Sequence, residues 1–209
     1  MHYGFIGLGN LGSKLAARLA ENGFAVTGFD TNTGFRESLE HAGVTFARSP
    51  QELASAVDHV ITCLPSPDAS SAVLDQILGA MGSDASVIEM STIGRDDAIR
   101  FAAVAERAGV GFLELPVTGG VHLAAVGELP LLAGGPASLM AVHQPALNVM
   151  GNEVIHMGPV GSASLIKVIT NMLALVHLQV CGEALMLASR GGLDLATSWK
   201  AIAASSGNS

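Results

Sequence analysis

The sequence predicts an α/β protein: a doubly wound, mainly parallel sheet followed by the start of an all-α segment. Three observations predict it. Short β-rich apolar runs alternate with longer amphipathic stretches from residue 3 to about 155, a glycine-rich turn joins the first run to the first amphipathic stretch, and one long apolar helical pattern follows residue 161.

The strand candidates are YGFIG (3–7), AVTGFD (25–30), VTF (44–46), HVITCL (59–64), SVIEM (86–90), GFLEL (111–115), LPLLAG (129–134) and EVIH (153–156). Each is a short run rich in β-branched, aromatic or aliphatic residues. Helix candidates fall near 10–22, 50–56, 67–79, 95–108 and 136–148, several opened by Ser, Asp or Pro. Strands alternating with helices imply right-handed crossovers and a parallel sheet. After HMGPVG (156–161) the pattern becomes one helix over about 162–189, closed by RGG and followed by a shorter helix near 196–204. The long helix is apolar on nearly every side, so it needs cover, and a partner subunit is the expected one. No period of 20 to 50 residues repeats.

Composition narrows the function classes. The chain has 209 residues, 49% of them hydrophobic, enough for a substantial core. The net charge is −8 and the ten basic residues are scattered, which disfavours nucleic acid. Cys63 and Cys181 each sit in an apolar stretch and read as buried thiols of a reducing, cytoplasmic compartment. The N-terminus lacks the basic segment and cleavage site of a signal peptide. The apolar stretch from Leu165 is broken by Lys167, Asn171, His177, Gln179 and Glu183, and is expected to be too polar for a simple membrane span. No metal-ligand set is expected.

The glycine turn, GLGNLG, gives GxGxxG at Gly7, Gly9 and Gly12, between the first strand and the first helix. In that setting the first glycine makes the turn, the second lets the backbone approach a pyrophosphate, and the third permits close helix packing. Asn10 and Leu11 add backbone donors at the helix N-terminus. Asp30 ends the second strand, 23 residues after Gly7, where a carboxylate reaches an adenosine ribose. It would repel a 2′-phosphate, and no basic residue follows until Arg36, so NAD is preferred and NADP stays open. The competing readings are a plain structural turn for the glycines and a turn cap for Asp30.

Three more segments, CLPSP (63–67), STIG (91–94) and LPVTGGVHLAAVGEL (115–129), join GSASLIKVITNML (161–173) in one ordered pattern. Together they resemble the β-hydroxyacid dehydrogenase family, which includes 3-hydroxyisobutyrate dehydrogenase and tartronate semialdehyde reductase, from residue 3 to 209. The resemblance implies a dinucleotide-binding domain of Rossmann type over 1–161, then an interdomain helix and the beginning of a helical domain over 162–209. It places Leu64 and Pro65 against the cofactor, Ser91 and Thr92 on its nicotinamide side, and Thr118, Gly119 and Gly120 on a substrate carboxylate. It makes Lys167 and Asn171, four residues apart on one helix face, the catalytic and substrate-binding pair. Without it, Lys167 would read as a snorkelling side chain and Asn171 as a backbone binder.

The departures are Thr118 where Ser is usual, Glu114 where Asp is usual, and His122 beside the loop, which reads either as a surface or cofactor-side residue or as a second substrate contact.

The implied chemistry is hydride transfer between NAD(P) and a short 3-hydroxy acid or its semialdehyde, of the 3-hydroxyisobutyrate or tartronate semialdehyde type. Lys167 would act as general acid or base. The expected partners are a small carboxylate-bearing substrate and further copies of the chain, as a homodimer or homotetramer through the C-terminal helices. Family members continue beyond the segment that ends at Ser209, so the alternative is a truncated NAD-binding fragment or assembly module with little turnover. An imine reductase fits less well, because such relatives replace the lysine that Lys167 retains.

Overall fold

The computed structural model describes residues 1–207. Its elements follow in the order β1 (His2–Ile6), α1 (Gly12–Glu21), β2 (Ala25–Phe29), α2 (Arg36–His41), β3 (Thr45–Phe46), α3 (Pro50–Ala56), β4 (His59–Thr62) and α4 (Pro67–Ile77). A single 3-10 turn (Leu78–Ala80) leads to β5 (Ser86–Glu89), α5 (Arg95–Arg107), β6 (Gly111–Glu114), α6 (Val121–Val126), β7 (Leu129–Gly134), α7 (Ala137–Met150), β8 (Gly151–Gly158), α8 (Ser162–Arg190) and α9 (Leu195–Ala203). All eight expected strands are present; α2 and α6 are helices the sequence reading did not anticipate.

The strands form one sheet in the order β3-β2-β1-β4-β5-β6-β7-β8. The first six are parallel, β7 runs antiparallel to β6, and β8 is parallel to β7. The order reverses direction beside β1, so its C-terminal end and that of β4 flank the crevice where such sheets bind ligands.

Alternation along buried strands assigns the core to two faces. Phe5, Ile61 and Ile88 pack with Leu15 and Leu19 of α1 and Leu147 of α7, while Ile6, Val60 and Val87 pack with Leu53, Leu74 and Phe101 of α3, α4 and α5. The starts of α3 and α4 follow the rule read from sequence: Ser49 and Ser66 each accept a hydrogen bond from the third residue on, with Pro at the first helical position.

The N-terminal ends of the strands hold a buried polar chain. The Tyr3 hydroxyl lies 3.0 Å from His143 Nδ1, His143 Nε2 lies 2.8 Å from Ser86 Oγ, and Ser86 Oγ lies 2.9 Å from His59 Nδ1. Burial holds His143 down at about 4 and pushes Tyr3 up to about 12.

Two compact units divide the chain, Met1–Lys167 and the residues from Val168 onward. In the second, Leu175, Leu178, Leu187 and Leu193 are all more than 60% exposed, and α9 is capped by Asp194, which accepts from Thr197. By length and composition α8 is long and apolar enough to cross a membrane, which corrects the expectation that its polar residues exclude it from that class.

Candidate active site

A cleft of about 640 Å3 opens at the C-terminal ends of β1, β2 and β4. Gly7, Gly9, Asn10, Leu11, Gly12, Asp30, Leu64 and Pro65 line it, together with Thr31, Asn32 and Cys63. Eight of the ten residues expected to touch a cofactor thus meet in one place.

The three glycines are there for three different reasons. Gly7 has φ +96° and a side chain there would collide with the Cys63 carbonyl. A side chain on Gly12 would collide with the Gly7 carbonyl, so this glycine is what lets α1 sit against the β1 turn. A methyl on Gly9 would meet no protein atom within 4 Å. Packing therefore explains Gly7 and Gly12, whereas the bareness of Gly9 leaves a cradle on the cleft side for a ligand to approach the backbone. No side chain caps α1 at Leu11; the Ser13 and Lys14 amides donate to the Gly9 and Leu11 carbonyls, and the positive end of the helix dipole stays open to an anion beside Leu11 and Gly12.

Asp30 closes the far end of this cradle. One of its oxygens accepts from the Leu8 amide at 2.6 Å and the other from the Asn32 amide at 2.7 Å. The carboxylate is therefore fixed in orientation beside the glycine turn. Arg36, the next basic residue, is engaged elsewhere: it pairs with Glu40 at 2.9 Å and lies over the Phe46 ring. The open backbone at Gly9 and the fixed carboxylate of Asp30 fit a dinucleotide.

Ser91 and Thr92 do not line the cleft. Ser91 is buried behind it and accepts the Leu64 amide at 2.7 Å, while Thr92 is exposed. Ser91 therefore shapes the Leu64-Pro65 loop from behind. Its own amide donates to Glu89 Oε1 at 2.8 Å. Burial raises the Glu89 carboxyl above the usual range, against the opposing pull of Ser91, Ser70 and Thr62. Burial, and then Glu89, push the Cys63 thiol up to about 12. Both cysteines are free and partly buried.

The loop expected to hold a substrate carboxylate follows β6. Thr118 donates its amide to the Pro130 carbonyl, next to a bridge between Val117 and Leu131. Gly119 and Gly120 then take φ of +108° and +97°, which turns the chain into α6. Two successive residues in this region of φ are accessible mainly to glycine. His122 is exposed on the first turn of α6.

Glu114, at the end of β6, is fully buried and points at the start of α8. Its Oε1 accepts the amides of Gly161 at 2.7 Å and Ala163 at 2.8 Å, and its Oε2 accepts the Ser164 amide at 3.2 Å and the Ser164 hydroxyl. Lys167 follows one turn later, half-buried, and burial lowers its ammonium below the ordinary lysine range. Asn171 belongs to the second unit and is partly buried. Sequence reasoning noted Glu114 only as a departure and overlooked Glu89; the available signal was a lone acid ending an apolar strand, SVIE and GFLE.

Comparison with known proteins agrees with this fold. A model described as the NAD binding domain of 6-phosphogluconate dehydrogenase matches residues 2–158, and one described as NAD-binding of NADP-dependent 3-hydroxyisobutyrate dehydrogenase matches residues 161–209. The chain is 34% identical over 194 residues to mitochondrial 3-hydroxyisobutyrate dehydrogenase of Rattus norvegicus, covering 91% of this chain but 58% of that enzyme. It is 34% identical over 204 residues to a probable 3-hydroxyisobutyrate dehydrogenase of Mycobacterium tuberculosis, covering 98% of this chain and 69% of the relative. The solved structure of Mycobacterium tuberculosis 3-hydroxyisobutyrate dehydrogenase with L-serine superimposes with a TM-score of 0.93 at 33% identity, over 100% of this chain and 72% of that one.

Proposed function

The chain belongs to the β-hydroxyacid dehydrogenase family, and from that membership we propose that it is an oxidoreductase moving a hydride between NAD(P) and a short 3-hydroxy acid or its semialdehyde. The single observation that carries the reading is the glycine cradle: Gly7 and Gly12 are closed by protein while Gly9 is bare toward the cleft, with Asp30 fixed at its end.

The bound cofactor supplies or takes the hydride. Gly9, Asn10, Leu11 and Gly12 hold its pyrophosphate, Asp30 its adenosine ribose, and Leu64 and Pro65 wall the cleft, with Ser91 setting their loop and Thr92 beyond it. Asp30 favours NAD over NADP by repelling a 2′-phosphate, and the engagement of Arg36 with Glu40 supports that preference.

Gly119 and Gly120 hold the substrate carboxylate through their backbone amides and Thr118 through its hydroxyl, its own amide being taken by Pro130. Lys167 moves the proton: its neutral amine accepts the hydroxyl proton when an alcohol is oxidised, and its ammonium donates when an aldehyde is reduced. Burial lowers its ammonium, so more of the neutral amine is present at a given pH than in a free lysine. Asn171 orients the substrate oxygen. The relatives' names point to 3-hydroxyisobutyrate as the first substrate to try.

A second reading is that this chain binds NAD with little turnover and acts in assembly; the exposed leucines of the second unit favour it. In either case a further copy of the chain is the proposed cover for that apolar surface, as a homodimer or homotetramer. Titrating the chain with NADH and following cofactor absorbance with a panel of short semialdehydes tests both readings. Turnover supports the first, NADH binding without turnover the second, and no NADH binding removes both.

A further inference from the structure

Glu114 is a buried acid whose four acceptor contacts all go to one place, Gly161 and the first residues of α8 that follow it. The amides of a helix start ordinarily find solvent or a short capping side chain of the helix itself. Here the cap comes from another element, 47 to 50 residues away in sequence. Two of the clamped residues, Ala163 and Ser164, stand four and three positions before Lys167, so all three share one helix face.

The clamp has a second component on the neighbouring strand. Gly134 of β7 is the register partner of Glu114 in the antiparallel pairing, and any side chain on Gly134 would collide with Glu114 Oε1. The bare Gly134 is what makes room for the carboxylate.

We propose that Glu114, seated against Gly134, is a positioning residue for proton transfer: it fixes the first turn of α8 and through it the place of the Lys167 amine. The proposal rests on the catalytic reading of Lys167. Glu114→Gln keeps the shape but turns one acceptor into a donor facing donors. The expected result is a kcat lowered about tenfold to a hundredfold, as a misplacement near 1 Å produces, with the NADH Kd unchanged and the substrate KM within about threefold. Gly134→Ala should reproduce that pattern by displacing the carboxylate. Glu114→Asp combined with Gly134→Ala should recover kcat relative to Gly134→Ala alone, because the shorter acid makes space for the added methyl.

A readout independent of turnover accompanies these. After reductive methylation with labelled formaldehyde, the Lys167 resonance should shift in Glu114→Gln while those of Lys14 and Lys200 stay fixed. A normal kcat, or an unmoved Lys167 resonance if the parent chain shows no turnover, overturns the proposal. Lys167→Ala run in parallel separates the two ideas: retained turnover in that variant refutes the catalytic reading itself, whereas its loss together with normal Glu114→Gln refutes only the clamp.

Discussion

Glu89 and Glu114 stand opposite each other in register on β5 and β6, and they hold different parts of the site. Their backbones are one strand spacing apart, about 4.8 Å. Glu89 accepts the Ser91 amide, and Ser91 in turn accepts the amide of Leu64 in the cleft wall. Glu114 accepts the amides that begin the helix bearing Lys167. One rung of the sheet therefore sets both the Leu64-Pro65 wall of the cleft and the start of α8.

The glycine cradle separates folding from binding. Gly9→Ala should leave stability within about 0.5 kcal/mol of the parent, since the methyl meets no protein atom. It should weaken NADH at least about tenfold by holding the pyrophosphate off the backbone. Gly12→Ala should instead cost about 1–3 kcal/mol through collision with the Gly7 carbonyl. Urea melts and NADH fluorescence titrations on both variants check this, and unaltered affinity in Gly9→Ala would remove the cradle.

Cofactor preference should reside in Asp30. Asn at this position can still accept from the Leu8 amide but carries no charge. Asp30→Asn should raise the ratio of NADPH to NADH affinity by about tenfold, the effect of removing one close repulsion of about 1.4 kcal/mol. Paired titrations with the two cofactors measure it; an unchanged ratio would mean the carboxylate does not face the ribose.

Proton transfer through Lys167 should give the two directions of reaction opposite pH dependences. Its ammonium is lowered by burial, so the neutral amine accumulates at lower pH than in a free lysine. Alcohol oxidation should climb as pH rises through that lowered pKa, and aldehyde reduction should fall over the same range. Lys167→Arg keeps a permanent charge and should lose oxidation entirely. Profiles of kcat in both directions show whether the limbs mirror each other.

The histidine chain predicts acid sensitivity away from the site. His143 is fully buried between Tyr3 and Ser86, with His59 facing it edge-on and Asp58 adjoining His59 in sequence. Its folded pKa, about 4, is below the ordinary value of 6.5, so the unfolded chain binds the proton more readily. Stability from this group is present above 6.5 and is lost as pH falls toward 4, by about 2 kcal/mol between pH 7 and pH 5. Urea midpoints at those two pH values should converge in His143→Gln. A parent chain equally stable at both would contradict the prediction.

Much of the fold was legible in the sequence because buried parallel strands and capped helices leave local marks, as Ser49-Pro50 and Ser66-Pro67 do. Two short helices were not. In α2, RESLEH follows Phe35 with no side-chain cap, and α6 begins directly after Gly119 and Gly120, where the residues read as loop. The reversal of β7 against β6 was equally hidden, since strand direction is set by how the chain returns through residues 115–128 rather than by the composition of LPLLAG. In the site, the glycine turn was readable from its spacing together with its place between the first strand and the first helix. The parts played by Glu89 and Glu114 were not: Glu114 draws its partners from 47 to 50 residues away, and Glu89 reaches Leu64 only through Ser91.

The Glu114 and Gly134 pair has a bearing on recombination with relatives. The two positions lie on either side of the loop proposed to hold the substrate, so a chimera that imports that loop with crossovers between Leu115 and Ala133 keeps the native pair intact. One that takes β7 from a parent with a side chain at position 134 inherits a seat its own acid cannot occupy. Loop exchange aimed at new substrates should therefore succeed or fail at the strand ends before the loop itself is tested.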